Sequence, residues 1–316
     1  MSGQAGGSAM KLGPASGVAA YSMWGLFPAF FPLLLPAGPV EILAHRIVWT
    51  LLVMLLVLLV ARQLGRLLRI DRHTWGLLAA AALFISINWG LYVYTVNSER
   101  VSEAALGYFI NPLVSVVLGV LIFGERLERP QKIAVGIAAV AVAVLTVGYG
   151  HFPYLSIILA LSFGMYGVMK KKVRVPATVG LTAEVVITTP LALGFLVWLT
   201  VAGRSTFTGH GLDHAALLAA SGLVTAVPLL LFAMAAQRIP LGFVGMLQYI
   251  TPSLQLLWAV VMVGERLDAT QWVGFGLVMV AVLVFSGSQL GRMRRMRLAG
   301  EHAVRSDDDD TDVGGR

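Results

Sequence analysis

An all-α integral membrane fold is predicted for this chain, with ten transmembrane helices in two inverted five-helix repeats. Composition is the first observation. Hydrophobic residues make up 58% of the 316 residues and charged residues only 12%, with mean hydropathy +0.82. A water-soluble fold of this size has too little interior to hide so much apolar surface, so lipid must cover much of it. The second observation is an internal repeat. The stretch LGYFINPLVSVVLGVLIFGERLERPQKIAVGIAAVAVAVLTV, 106–147, returns as MLQYITPSLQLLWAVVMVGERLDATQWVGFGLVMVAVLVFSG, 246–287, without gaps at an offset of 140 residues. Ile110 falls on Ile250, Pro112 on Pro252, Gly-Glu-Arg-Leu 124–127 on 264–267, Gln131 on Gln271 and Gly136 on Gly276. Two copies of helix, charged turn and helix describe a duplicated membrane protein. The third observation is the placement of basic residues, which fixes orientation.

A spanning helix needs about 20 mainly apolar residues. Ten stretches qualify in order: 16–35, 41–61, 75–96, 103–123, 130–149, 153–170, 178–200, 214–236, 242–263 and 270–289. The first follows Lys11 but lacks an Ala-x-Ala-like cleavage site and continues through Pro28 and Pro32, so it reads as a retained helix. With the amino terminus in the cytoplasm, the inside loops collect Arg62, Arg66, Arg69, Arg72, Arg126, Arg129 and Lys132. They also collect Lys170, Lys171, Lys172, Arg174, Arg238 and the cluster Arg292, Arg294, Arg295 and Arg297. The outside loops hold only Arg100, Arg204 and Arg266. That bias places both termini inside. Five spans per half is an odd number, so the halves are inverted, with Gly124-Glu125 facing in and Gly264-Glu265 facing out. The formal charge of +7 is therefore an orientation signal rather than a nucleic-acid patch.

The domain reading follows from these spans: a disordered tail 1–14, a first repeat 15–150, a second repeat 151–290 and a cytoplasmic tail 291–316. In that last tail the basic cluster, suited to anionic head groups, precedes the acidic run Asp307–Asp310. With no cysteine there is no disulfide, thiolate metal site or Cys nucleophile. GxGxxG, P-loop, HExxH and GxSxG patterns are absent, and the six histidines are scattered. No cofactor or metal site is expected, and ATP hydrolysis by this chain is excluded with its nucleotide loop.

Polar groups inside the spans are the candidate functional residues, because each is costly at membrane depth. Glu41 and His45 share a face at i, i+4, with Arg46 one position round. An offset of 139 puts Glu184 nearly at the place of His45 in the second half. Pro112 and Pro252 lie mid-helix and release the carbonyls of Tyr108 and Gln248. An unpaired carbonyl is tolerable there only against protein or a wet cavity. Either these kinks improve packing, or helices four and nine line a polar cavity with Tyr108, Asn111, Gln248, Tyr249 and Thr251. Asn88 needs a partner across helices or in that cavity. Trp24, Trp89, Tyr92 and Tyr94 fit interfacial belts. Glu103 fits the positive end of helix four. Gly-Glu-Arg-Leu reads as structural: a left-handed glycine cap, then a Glu on the amino end of the next helix.

These motifs resemble the EamA-type branch of the drug/metabolite transporter superfamily. More narrowly, Glu41-Ile-Leu-Ala-His45-Arg46 with Trp49, Asn88-Trp89, Leu106 to Pro112 and Gln248-Tyr249-Ile250 look like its RarD-like members. The resemblance spans about residues 15–290. It implies a ten-helix carrier of the inner, or plasma, membrane, of the kind often labelled a drug or chloramphenicol-sensitivity permease. The expected function is alternating-access export of a small metabolite or amphipathic drug, coupled to protons through Glu184. Its partners would be the lipid bilayer, the small-molecule substrate and protons, without nucleic acid. The substrate and coupling cavity is expected to gather His45, Arg46, Asn88, Tyr108, Asn111, Glu184, Gln248 and Tyr249. Two other classes fit the sequence. A membrane scaffold or sensor predicts a packed interior without a cavity, and an intramembrane enzyme needs an acid–base pair, which only Glu184 with His45 approaches.

Overall fold

The computed structural model describes residues 3–97, 101–149 and 154–264, with most positions from 272 to 291. The chain opens with α1, Gly3–Gly25, a short α2, Phe27–Phe30, and a 3-10 turn, Phe31–Leu34. Next come α3, Pro39–Val60, the short α4, Leu64–Leu68, and α5, Arg72–Asn97. They are followed by α6, Val101–Phe123, α7, Arg129–Tyr149, α8, Tyr154–Lys172, and α9, Ala177–Val201. A single turn α10, Thr206–Gly209, leads into α11, Gly211–Arg238. Finally α12, Leu241–Leu247, α13, Ile250–Trp258, and a π turn, Ala259–Val263, form one interrupted rod. A further apolar helical stretch covers Trp272–Phe285. The described residues contain no strand.

Among the described residues, seven helices are long and apolar enough to cross a membrane. The other expected spans fall on α7, on α8 and on Trp272–Phe285. Helix α8 is the instructive case. Ser156, Ser162, Gly164, Tyr166, Gly167 and Lys170 are all buried on it, so protein rather than lipid surrounds much of its length. Its modest hydropathy is the mark of a central helix.

The structure differs from expectation at the first span. The helix starts at Gly3 rather than beyond residue 14, since Gly13 packs against Ile239 and its neighbours extend the turn. It then breaks at Leu26, where Pro28 at the start of α2 forbids continuation. The two repeat prolines also behave differently. Pro112 sits inside the unbroken α6, whereas the rod containing Pro252 is interrupted at Gln248-Tyr249. Arg100, Glu265-Arg266-Leu267, Gln271 and 292–316, and the side chain of Glu103, lie outside the described residues.

Packing places α3 against α9 and α11, α1 against α11, α5 against α8 and α9, and α6 against α8 and α12. Helix α13 returns against α1. The main core joins Tyr21, Phe109, Tyr166, Phe232, Met246 and Tyr249, all at most 5% exposed. Gly124 and Gly264 both take the left-handed backbone, φ 63° and 72°, which supports the helix-ending reading of the paired motif. Outside the spans, Asp71 accepts bonds from the Thr74 hydroxyl at 2.7 Å and its N–H at 2.9 Å. These bonds hold the Asp71 carboxyl below its ordinary pKa.

The closest helix crossing depends on Gly222. A β-carbon there would lie 2.5 Å from the Trp49 carbonyl carbon and 2.7 Å from the Thr50 nitrogen, both backbone atoms that cannot turn aside. The Thr50 hydroxyl donates to the Gly222 carbonyl at 3.0 Å across the same crossing. Gly222→Ala should therefore cost about 1–3 kcal/mol as α3 and α11 separate. Gly194, with nothing within 4 Å of a new β-carbon, is the control. Thermal unfolding in detergent should show a lower Tm for Gly222→Ala and an unchanged or higher one for Gly194→Ala.

Candidate functional site

The break after the first helix leaves one carbonyl without a helical donor, and a polar side chain takes its place; other polar side chains add bonds to helical carbonyls nearby. Pro28 has no N–H for the carbonyl of Trp24, and the Gln255 amide donates to it at 3.3 Å. One turn earlier, the Thr251 hydroxyl donates to the carbonyl of Tyr21 at 2.7 Å. Tyr249, fully buried, donates through its hydroxyl to the carbonyl of Phe109 at 3.2 Å, three residues before Pro112. Gln248 donates to the Ser115 hydroxyl at 3.3 Å. These bonds tie α13 to α1 and the Gln248–Tyr249 turn to α6. Asn88 ties α5 to α8, its amide donating to the Leu159 carbonyl at 2.9 Å and the Ser162 hydroxyl at 3.2 Å.

Between these tied helices lies a cavity whose space, open solvent included, is about 810 Å³. Its walls come from both halves of the chain: Tyr21, Trp24 and Phe27 near the start, Arg46, then Asn88, Trp89 and Tyr92 on α5. Tyr108 and Asn111 come from α6 and Phe163 from α8. Ile85, Leu229, Gln248, Thr251, Pro252 and Gln255 complete it. The Asn111 side-chain oxygen has no hydrogen-bond partner among the described residues. A second recess of about 630 Å³, lined by Phe31, Pro39, Ile42 and Leu43, shares Arg46, Trp89 and Tyr92 with the first.

Of the eight residues expected to converge, Arg46, Asn88, Tyr108, Asn111 and Gln248 line the cavity. Tyr249 does not, because its ring packs in the core. His45 is turned the other way, stacked on Phe207 at 4.9 Å in a separate recess with Leu193, Val197 and Ser205. Glu41, one turn before, accepts the Thr206 N–H at 2.7 Å and so holds α10 in place.

Glu184 is also outside the cavity lining. Lys170 donates to its Oε1 at 2.6 Å and the Tyr166 hydroxyl to Oε2 at 3.3 Å, with the two charged side chains only 2% and 4% exposed. Lys170 therefore is not a loop charge. It ends α8 inside the bundle, and its place in a run of three lysines hid that in the sequence. Neighbouring Lys171 donates to the Ile239 carbonyl at 2.8 Å and lies 3.2 Å from Glu125. Glu125 does not serve the helix that follows it. Its two oxygens accept the N–H groups of Leu241 at 2.6 Å and Gly242 at 2.9 Å, at the start of α12. This carboxylate joins the loop after α6 to two other helix ends, a contact 116 residues away that no local pattern announces.

Removing one partner of a buried ion pair leaves the other uncompensated, at about 3–5 kcal/mol. Lys170→Met should thus destabilise the fold strongly. Adding Glu184→Leu should recover most of the loss, measured as Tm of the detergent-solubilised protein. A double variant no more stable than Lys170→Met alone would show that the pair is not the source.

Comparison with known proteins gives a consistent picture. The EamA-like transporter family model matches residues 11–147 and again 153–287. Protein RarD of Streptomyces exfoliatus is 50% identical over 291 residues, covering 91% of this chain and 92% of that protein. An uncharacterized transporter, YojE, of Bacillus subtilis is 42% identical, covering 85% and 92% respectively. A chloramphenicol-sensitive protein RarD of Pseudomonas aeruginosa is 28% identical, covering 90% and 96%. A solved crystal structure superposes with TM-score 0.66 at 18% identity, covering 88% of this chain and 97% of that one, a likeness of fold alone.

Proposed function

This multi-pass membrane protein belongs to the EamA-like transporter family as a RarD-like member, and from that premise we propose that it is a secondary exporter of a small metabolite or amphipathic drug. It works by alternating access between two inverted five-helix halves of a ten-span bundle in the inner membrane, with both termini cytoplasmic. The observation that carries the reading is the cavity itself, which takes walls from both halves. A scaffold would have no use for such a space, and an enzyme would need an acid–base pair within it. Among the described residues, the cavity lining contains no carboxylate or imidazole.

Inversion is supported by reciprocal packing. The repeat pairs α1 with α8, α3 with α9, α5 with α11, and α6 with the α12–α13 rod. Under that exchange the α1–α11 contact becomes α8–α5, and α11–α3 becomes α5–α9. The α3–α9 and α6–α12 contacts map onto themselves. Such reciprocity is what a two-fold axis between the halves produces, and five spans per half, an odd number, would lay that axis in the membrane plane.

One end of the bundle is sealed. Phe163 lines the cavity on α8, while Lys170 and Lys171 lie two turns further on with their carboxylates. Tyr108 and Asn111 line it on α6, while Glu125 lies beyond that helix's end. The recess at Pro39 adjoins the opposite end. With the proposed orientation this arrangement reads as outward-open, the Glu125 and Glu184 pairs lying on the cytoplasmic side. Export is the direction that the resemblance to drug permeases implies. Proton coupling then has a route. A proton on Glu184 cancels its attraction for Lys170, and that loosens the α8 end which also carries Lys171.

Proteoliposomes loaded with a metabolite mixture should lose a subset of solutes faster with a pH gradient than without. Glu184→Gln leaves Lys170 uncompensated and should lower the Tm, but the folded fraction should keep exchange of those solutes and lose gradient-driven accumulation. Reporter fusions after Lys172 and Arg297 should read cytoplasmic, and one after Arg204 external. Vesicles that leak no solute faster than empty ones would sink the carrier reading, and a Gln variant that still concentrates substrate would remove Glu184 as the coupling group.

A further inference from the structure

Arg46 is the unexplained charge of the cavity. It lies about 10 Å along α3 from Pro39, at roughly 1.5 Å per residue, well inside a spanning helix. Its Nε donates to the Thr225 hydroxyl at 2.8 Å, and Thr225 in turn donates to the Ser221 carbonyl at 2.7 Å. That bond fixes the plane of the guanidinium but uses one of its five N–H donors. Around it stand aromatic faces rather than acceptors: Trp89 at 5.1 Å, Phe31 at 5.4 Å and Phe27 at 5.7 Å from ring centre to Cζ. Among the described residues no ion pair involves Arg46, and the cavity it enters is walled without Asp or Glu. The charges described above are otherwise met: Lys170 pairs with Glu184, half-buried Lys171 with Glu125, and Glu41 accepts a backbone N–H.

A charge held at membrane depth without a counter-charge costs several kcal/mol, which folding alone gives no reason to retain. Its remaining N–H groups form a planar fork suited to two oxygens of one anion. Much of the lining is aromatic or amide: Trp24, Trp89, Tyr92, Tyr108, Asn111 and Gln248. Ile85, Leu229 and Pro252 add aliphatic surface. Such walls suit a flat apolar body, and they offer no carboxylate to pair with an ammonium group. We infer that Arg46 is the anion-binding residue of this cavity and that the transported solute is an amphipathic monocarboxylate, with its carboxylate on the Arg46 fork and its apolar or aromatic body against Trp24 and Trp89. The inference rests on the carrier reading above and narrows it to a charge class.

The test compares 3-phenylpropionate with its neutral amide, with acetate and with zwitterionic phenylalanine, at pH 7, on the full-length protein. Binding is read by quenching of tryptophan fluorescence in detergent, and transport by counterflow in proteoliposomes. 3-Phenylpropionate should bind at least tenfold more tightly than each of the other three. Arg46→Gln should bring the acid-to-amide ratio to about one, and Arg46→Lys should keep part of the preference. The wild-type ratio needs no variant, so a misfolded Arg46→Gln leaves the test intact. Equal binding of acid and amide, or an acid preference that survives Arg46→Gln, overturns the inference, and acetate matching the phenyl acid overturns its apolar half. Arg46-dependent binding without counterflow would count against the carrier while leaving the site. Counterflow of neutral or cationic solutes without acid preference would leave the carrier and remove the site.

Discussion

A proline in a membrane-spanning helix strands the carbonyl four residues earlier, and hydrocarbon supplies no substitute donor. Much of this structure follows from that constraint. Each interrupted segment needs a polar side chain from another helix, and those side chains must sit where helices meet. Gln255 answers the carbonyl of Trp24, which Pro28 leaves free. Thr251 and Tyr249 add bonds to the carbonyls of Tyr21 and Phe109, whose helical donors at Gly25 and Leu113 are not prolines. The same residues that repair the backbone bring α1, α6 and α13 together. Bent helices cannot close-pack along their whole length, so a space opens beside the bends. Polar atoms not consumed by the repair, such as the Asn111 oxygen, are left facing it. The cavity and the broken helices are one solution to one constraint.

Charge is handled in two opposite ways within a short distance. Lys170 and Glu184 neutralise each other in a nearly dry place, with Tyr166 taking the second carboxylate oxygen. Such a pair gives geometric definition more than net stability, since desolvation offsets most of its attraction. Arg46 has rings and a hydroxyl instead of a carboxylate. Cation–π contacts of about 0.5–2 kcal/mol each do not replace a counter-ion. The first arrangement is complete without a ligand, and the second is not.

How much of this was legible in the sequence differs by the range of the interaction. The helical membrane class follows from composition, and the glycine caps at Gly124 and Gly264 follow from local chemistry. Arg46, Asn88, Tyr108, Asn111 and Gln248 could be picked out because a polar residue in an apolar run is costly wherever it points. Direction was the part that could not be read. His45 and Arg46 are adjacent, yet one stacks on Phe207 and the other enters the cavity, because about 100° of helix rotation separates neighbours. Lys170 looked like one of three loop lysines, and only the packing of α8 between other helices shows it buried. Gln255 was missed, although a proline at 28 and an amide in a distant span were both visible as halves of one bond. Glu125 was read as a local cap because local caps are common, while its true partners lie 116 and 117 residues on.

The Glu125 contact also bears on how a carrier of this shape would move. Its carboxylate accepts two backbone N–H groups at the start of α12 and pairs with Lys171 at the end of α8. Charge-assisted bonds of this kind are worth about 1.5–3 kcal/mol each, so parting the three helix ends without replacement would be slow. Rocking between inverted halves removes that difficulty if the opposite end gains a similar contact as this one is lost. The repeated Gly-Glu-Arg-Leu places a second glutamate, Glu265, at the position that symmetry requires. If Glu265 meets a helix start as Glu125 does, each state would have its own latch, and the difference between them would fall within the few kcal/mol that a bound solute can tip. A motif whose function looks purely structural in one conformation is then also what lets the other exist.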